Sequence, residues 1–372
     1  MFEELIIPEN LIPTDPRFGC GPSLIPSSSV EKLLDTGTKL LGTSHRKAPV
    51  KGLTKEIQEG LKKYFKLPDD YSVNLGNGGA TLLFDMIGLG AVKKKITHFT
   101  CGEFSEKWYK SSSLIPWIDA EKIEVEYGQG ITPHFAEGSD VIACTLNETS
   151  TGVIVDQLPE MKGDALLAVD ATSGAGQVKC DVSKVDFFIF SPQKVFSSEG
   201  GLFIVIMSPR AQKRVLEINE DKNRYIPAIM NWKTLLDNAE KNQVYNTPSL
   251  STLFFLNEQI KKMNEVGYDE VKQEALNKAK LIYDWADSKK YLSPYIKEEK
   301  YRSTAVATID VDDKIDVKSL LSVLEAKNIV LGIDSYRKLG KNQFRISIFN
   351  NISYSDLEKL TKLLSYAIEL KI

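Results

Sequence analysis

Between residues 71 and 207 the sequence carries seven short apolar runs, and several of them are continuous where a surface strand would alternate: ALLAV (165–169), VDFFIF (185–190) and LFIVIM (202–207). A strand with apolar side chains on both faces has to be covered on both faces, which calls for helices above and below a largely parallel sheet. The remaining runs are YSVNL (71–75), KITHFT (95–100), KIEVEY (122–127) and DVIACT (140–145). Residues 191–201, which join the last two runs, have no helical pattern, so a turn there makes one of the two strands antiparallel and the sheet mixed.

Helical periodicity surrounds these runs. Leu53, Ile57, Leu61 and Tyr64 share one face of a helix over 52–65, with Thr54 as a cap. Ser27 to Ser29 offer caps for a helix over 30–41, and another helix starts near Ala80. From 250 to 287 two helical segments meet at Gly267. A strand (303–309), a helix (316–327), a strand (343–349) and a helix (355–369) follow. The pattern predicts an α/β chain with a large domain (16–255) on a mixed, mostly parallel seven-stranded sheet. A smaller C-terminal α+β domain (256–372) follows, joined by the N-terminal segment 1–15.

Composition narrows the function. The 372 residues include 47 basic and 50 acidic ones, a net charge of −3, which gives no reason to expect a nucleic-acid or anionic-membrane partner. No apolar run approaches the ~18 residues of a membrane span. The N-terminus is acidic and broken by proline, unlike a signal peptide. Cys20, Cys101, Cys144 and Cys180 are too far apart for a redox or zinc pair and read as reduced thiols of a cytoplasmic protein. The three histidines form no metal motif.

The chemistry concentrates where strands end. Asp170 closes one apolar run and Lys194 follows the next, and ligands of α/β sheets bind at that edge. Pyridoxal phosphate needs such a pair: a lysine that condenses with its aldehyde and a carboxylate that partners its protonated ring nitrogen. A surface lysine and a turn-capping aspartate give the same pattern. GNGGAT (76–81) runs from a strand into a helix start, where backbone N–H groups and Thr81 can cradle a phosphate or simply begin a helix. Phe104, in CGEFSEKW, either stacks on a planar group or belongs to the core. Asn147 and Thr149 either bond a ring substituent or cap a turn.

Taken in order, FGCGPS (18–23), GTSHR (42–46), GNGGAT (76–81), CGEFS (101–105), NETSTG (147–152), VDATSG (169–174), SPQK (191–194), YNTPS (245–249) and FRISIFN (344–350) resemble the phosphoserine aminotransferases, class V enzymes of the fold-type-I pyridoxal-phosphate group. VDATSGAG, APVKGL, YNTP and YRKLG resemble the actinobacterial-type branch. The resemblance implies that Lys194 carries pyridoxal 5'-phosphate and that Asp170, supported by Thr172, holds its ring nitrogen. It further implies Phe104 as the stacking residue, where many members have tryptophan, and Thr149 at the ring oxygen. Gly79, Ala80, Thr81 and Gln193 hold the cofactor phosphate, with Asn246 and Thr247 of the partner subunit in a homodimer with shared sites. Arg345 takes the substrate α-carboxylate, because a guanidinium matches it with two parallel hydrogen bonds. His45 and Arg46 of the partner subunit, with Arg337, take the substrate phosphate; here Tyr336-Arg337 stands where many members have His-Arg. The implied reaction moves an amino group between L-glutamate and 3-phosphohydroxypyruvate, giving O-phospho-L-serine and 2-oxoglutarate. The family also accepts a phosphorylated four-carbon threonine precursor in pyridoxine synthesis. The alternative within class V is an alanine–glyoxylate type transaminase. A cysteine desulfurase is disfavoured, because Cys101, Cys144 and Cys180 sit at strand ends in or near the core.

Overall fold

The structure, a computed structural model, describes residues 2 and 5–371. Helices α1 (Ser27–Leu40) and α2 (Ala48–Tyr64) lead into the large sheet. Strand β1 (Ser72–Asn77) is followed by α3 (Ala80–Gly90), β2 (Lys95–Thr100), α4 (Glu103–Ser113), β3 (Asp119–Glu124) and β4 (Val141–Thr145). A hairpin of β5 (Asn147–Glu148) and β6 (Val153–Ile154) precedes β7 (Leu166–Asp170), β8 (Phe187–Phe190) and β9 (Leu202–Met207). The seven strands lie in the order β1-β9-β8-β7-β4-β2-β3. β9 runs antiparallel to both neighbours and every other pair is parallel, so the sheet is mixed, as the 191–201 connection predicts.

Both faces are buried for the reason the apolar runs announce. Leu167, Val169, Phe188 and Phe190 pack to one side, with α2 and the later helix α7. Leu166, Ala168, Phe187 and Ile189 pack to the other, with α3, α4, α5 (Pro209–Asn219) and α6 (Trp232–Ala239). Helices α7 (Leu250–Val266) and α8 (Tyr268–Asp287) meet at Gly267, whose φ of +97° suits glycine. The second sheet is antiparallel: β10 (Leu292–Pro294), β11 (Val306–Val311) and β12 (Gln343–Ser347). It packs with α8, α9 (Val317–Ala326) and α10 (Tyr354–Glu369), and Phe2, Leu5 and Phe18 belong to the same core. Beyond residue 255, Leu256, Ile260 and Met263 of α7 still pack in the first core, because α7 lies along α2. Among the described residues no helix is long and apolar enough to cross a membrane.

Several local expectations shift: α1 begins at Ser27, so Ser27 to Ser29 lie within it and not ahead of it as caps, and β11 begins at Val306, three residues later than the expected strand. β3 occupies 119–124, three residues earlier than the apolar pattern places it, because this edge strand is half exposed and its register is set by pairing with β2, Lys95 opposite Asp119. Thr54 lies inside α2, bonding the Val50 carbonyl, and the helix starts at Ala48 with Pro49 in its first turn. Cys180 sits in a loop and not at a strand end. Helices α4, α5 and α6, the β5–β6 hairpin and β10 were not expected from the pattern.

Gly76 of β1 lies opposite Phe203 of β9, and a Cβ there would come 2.1 Å from the buried ring. Gly76→Val should cost about 1–3 kcal/mol, read as a lower urea midpoint. Gly52→Ala, on an open face of α2, should leave the midpoint unchanged or raise it slightly.

Candidate active site

β7 and β8 are parallel neighbours, so their C-terminal ends open on one side of the sheet. Asp170 is the last residue of β7, and Lys194 lies four residues past the end of β8. The Asp170 carboxylate is buried, and Thr172 engages only its Oδ1, through the backbone N–H at 2.9 Å and the hydroxyl at 2.5 Å. Burial pushes its pKa up to about 6 against those hydrogen bonds. Burial acts in the opposite sense on Lys194, lowering its pKa to about 8.

The Lys194 Nζ donates to the Cys20 carbonyl. Gly21, the next residue, has φ +143°, and a Cβ there would stand 1.7 Å from Nζ. Only glycine leaves that amine its place. The N–H of Ser23 donates to the Gln193 carbonyl at 2.7 Å, so FGCGPS runs directly over the lysine loop.

The start of α3 is tied to the same loop. Ser191 Oγ accepts from the Ala80 N–H at 2.7 Å, and the Gly78 N–H donates to the Gly201 carbonyl at 3.0 Å. The N-cap, Gly79, has no side chain to cap α3; Ser191 takes the Ala80 amide alone, and the amides of Gly79 and Thr81 have no protein acceptor among the described residues. A helix N-terminus with free amides carries partial positive charge and open donors, which suits a phosphate. Thr81 is exposed and Gln193 Oε1 is buried without a partner.

The β5–β6 hairpin closes another side. Ser173 Oγ accepts from Thr149 Oγ1 and from Asn147 Nδ2, both at 2.7 Å. The Thr149 carbonyl accepts from Arg345 at 3.2 Å. Arg345, in the middle of β12, lies 5.4 Å over the Tyr336 ring, and its Nε is buried without a partner. Tyr336 in turn meets Phe104 edge-on at 6.0 Å. The chain thus places an amine, a carboxylate, a helix start with free amides, an aromatic and a half-engaged guanidinium around the ends of β7 and β8. This donor set, with its unpartnered Gln193 and Arg345 atoms, fits pyridoxal phosphate and an amino-acid carboxylate.

Other expected residues group elsewhere. His45 Nδ1 lies 3.0 Å from the Thr247 hydroxyl, and Asn77 at the end of β1 donates to the Thr247 carbonyl at 2.8 Å. Burial, reinforced by Arg46, holds the His45 imidazole below its usual pKa. Arg46, Asn246 and Thr247 are exposed in the single chain, as is Arg337. Lys338 is ion-paired with Glu103, and Lys341 sits over the Tyr295 ring at 4.9 Å. Burial raises the thiol pKa of all four cysteines, which disfavours a thiolate nucleophile. Sequence reasoning gave no role to Ser191, Ser173, Glu148 or Gly21, although the short motifs SPQK, VDATSG, NETSTG and FGCGPS contain them.

A neutral amine is the nucleophile toward an aldehyde, and its fraction rises with pH through the lysine pKa. Capture of pyridoxal phosphate by cofactor-free protein should therefore speed up through pH 7 and level off above about pH 8. Stopped-flow absorbance from pH 6 to 11 checks this, and a rate still climbing at pH 10 would mean a fully hydrated lysine. Gly21→Ala should abolish capture while the protein stays folded.

Residues 117–360 match the model of the aminotransferase class-V family. The chain is 42% identical over 366 residues to phosphoserine aminotransferase of Corynebacterium glutamicum (strain R), covering 98% of this chain and 97% of that one. A crystal structure of a phosphoserine aminotransferase from Cytophaga hutchinsonii superposes with a TM-score of 0.87 at 26% identity, covering 98% and 99% of the two chains. An alanine–glyoxylate aminotransferase from Nostoc sp. shares the fold, with a TM-score of 0.79 at 17% identity over 99% and 97%. A lysine and an aspartate at neighbouring strand ends, in a chain so similar throughout its length to these proteins, leave one conclusion: the chain belongs to the phosphoserine aminotransferase family of class-V aminotransferases.

Proposed function

We propose that this chain is a pyridoxal-phosphate-dependent phosphoserine transaminase, which moves an amino group between L-glutamate and 3-phosphohydroxypyruvate in serine biosynthesis. The observation that carries the reading is the placement of Lys194 and Asp170 at the ends of adjacent parallel strands, beside an α3 start joined to the lysine loop by Ser191. When bound, pyridoxal phosphate accepts the amino group and delocalises the electron pair left at the substrate α carbon.

The chain's own groups do the rest. The Lys194 Nζ, kept near neutrality by burial, takes the α proton as general base and later returns it. The Asp170 carboxylate holds the ring-nitrogen proton, with Thr172 fixing its orientation. Gly79 and Thr81 receive the cofactor phosphate on their free amides, Gln193 on its side-chain NH2, and Ala80 by exchanging its N–H from Ser191 Oγ, while Phe104 covers the ring. Thr149 serves the ring oxygen by turning its hydroxyl away from Ser173. Arg345 receives the α-carboxylate on its unpartnered Nε edge. Arg337 receives the substrate phosphate, together with His45 and Arg46 of the partner subunit. The same chemistry extends to the phosphorylated threonine precursor of pyridoxine synthesis, and we set the activity in the cytoplasm.

A homodimer with shared sites completes this reading. The His45–Thr247 hydrogen bond brings together two segments, 42–46 and 245–249, that the resemblance assigns to the partner's site. Exposed Val30 and Leu34 on α1, Leu41 just beyond it, and Tyr245 supply apolar surface for a second copy.

Assay of purified protein with glutamate and a panel of keto acids tests the function. 3-Phosphohydroxypyruvate should exceed 3-hydroxypyruvate and glyoxylate by at least about 100-fold in kcat/KM, since charge-assisted phosphate contacts contribute a few kcal/mol. A preference for glyoxylate would favour the alanine–glyoxylate type. In single turnovers, Arg337→Ala should slow the phosphorylated half-reaction by about 10–100-fold and leave the glutamate half-reaction within about twofold.

Refolding Lys194→Ala together with Arg46→Ala subunits tests the shared site. Random pairing makes half the dimers mixed, each with one intact site, so about a quarter of wild-type activity should return. Activity that stays at the parents' average, with mixed dimers verified by tags, would place Arg46 in its own subunit's site.

A further inference from the structure

Glu148 is fully buried, and among the described residues no lysine or arginine pairs with it. A carboxylate in that position is stable only if donors replace the water it has lost. Five do. Oε1 accepts from the Phe104 N–H at 3.2 Å, the Ser150 N–H at 3.3 Å and the Ser150 hydroxyl at 2.7 Å. Oε2 accepts from the Ser105 N–H and the Ser105 hydroxyl, both at 2.9 Å.

Two of these donors are first-turn amides of α4, whose N-cap, Gly102, has no side chain to cap the helix. The carboxylate therefore caps α4 from another segment, and the helix dipole favours its charge. The fit is close: a Cβ on Gly102 would stand 2.4 Å from the Glu148 Cγ and 2.6 Å from the Ser150 Oγ. Ser150 reinforces it by accepting the Glu103 N–H at 3.0 Å. On its own side Glu148 sits in the β5–β6 hairpin, directly before Thr149, whose carbonyl holds Arg345.

We propose that Glu148 is a positioning residue: its buried carboxylate sets where the Phe104 ring stands over the cofactor and locks that ring to the hairpin that orients Arg345. The proposal rests on the functional reading above for the place of the cofactor. The backbone of Phe104 is held by the carboxylate itself, while among the described residues its ring has only the edge of Tyr336 as an aromatic neighbour. Loss of the carboxylate frees the α4 start and lets the ring drift from its stacking distance.

A double-mutant cycle on the dissociation constant of pyridoxal phosphate, titrated into cofactor-free protein, tests this. Glu148→Gln keeps the shape but turns an amide NH2 toward N–H or O–H donors. It should weaken cofactor binding by about tenfold when Phe104 is present and by less than about twofold in a Phe104→Ala background. The visible circular dichroism of bound cofactor should change in Glu148→Gln and resemble that of Phe104→Ala. If Glu148→Gln does not fold, Ser150→Ala, which removes one donor from Oε1, should show the same coupling at about threefold. Equal weakening in both backgrounds, or a lowered unfolding midpoint with unchanged dichroism and affinity, would overturn the proposal. If the wild type binds the cofactor but does not transaminate 3-phosphohydroxypyruvate, the functional reading fails and the cycle still decides the role of Glu148. A transaminating wild type with an additive cycle sinks the positioning role alone.

Discussion

The hydrogen bond from the Lys194 amine to the Cys20 carbonyl joins residues 174 positions apart, and the site is organised around it. Cys20 belongs to a segment held to the small sheet on one side: Leu331 N–H bonds the Pro16 carbonyl, Phe18 N–H bonds that of Leu331, and Ser347 N–H bonds that of Phe18. On the other side Ser23 bonds the Gln193 carbonyl, next to the lysine. The Cys20 thiol donates to the Arg345 carbonyl at 3.4 Å. One residue therefore touches both the amine expected to hold the cofactor and the backbone of Arg345, whose side chain is expected to hold the carboxylate. The Lys194 side chain fills the space beside the Gly21 Cα, so Gly21 has no room for a side chain.

The same burial that stabilises the sheet tunes the chemistry. Strands with apolar side chains on both faces remove water from their own ends, and desolvation disfavours whichever form of a group is charged. Asp170 rises toward neutrality and Lys194 falls toward it, from one cause acting on opposite charges. A protonated ring nitrogen arriving beside Asp170 would restore the carboxylate, while the amine is already poised to act as nucleophile and base near pH 8. Burial also raises the thiol pKa values and so favours their S–H form.

Some of the buried polar atoms that lack a partner among the described residues cluster around the candidate site. Gln193 Oε1 and Arg345 Nε are unpartnered inside the site, and His45 Nε2 is unpartnered on the segment that carries Arg46. Buried polar atoms in that state cost free energy unless something meets them. Glu148 shows the opposite arrangement, a buried carboxylate met by donors from its surroundings, and so behaves as a fixed point around which the aromatic and the hairpin are placed.

The placement of Asp170 and Lys194 was legible in the sequence because continuous apolar runs announce buried parallel strands, and polar residues at their ends must lie on the ligand-binding edge. The start of α3 was legible for a similar local reason, a glycine-rich turn between a strand and a helix. The mixed sheet followed from a connection without helical character. Local periodicity could not place the edge strand β3, whose polar residues DAEKIE are positioned by pairing with β2. Nor could it disclose that Glu148 caps a helix 44 residues earlier in the chain, that Gly21 makes room for Lys194, or that Thr247 meets both His45 and Asn77. Periodicity reports which face of an element is buried. Which distant segments share that burial is decided only when the sheets and helices close on each other, because contacts across long loops leave no repeating pattern in the chain.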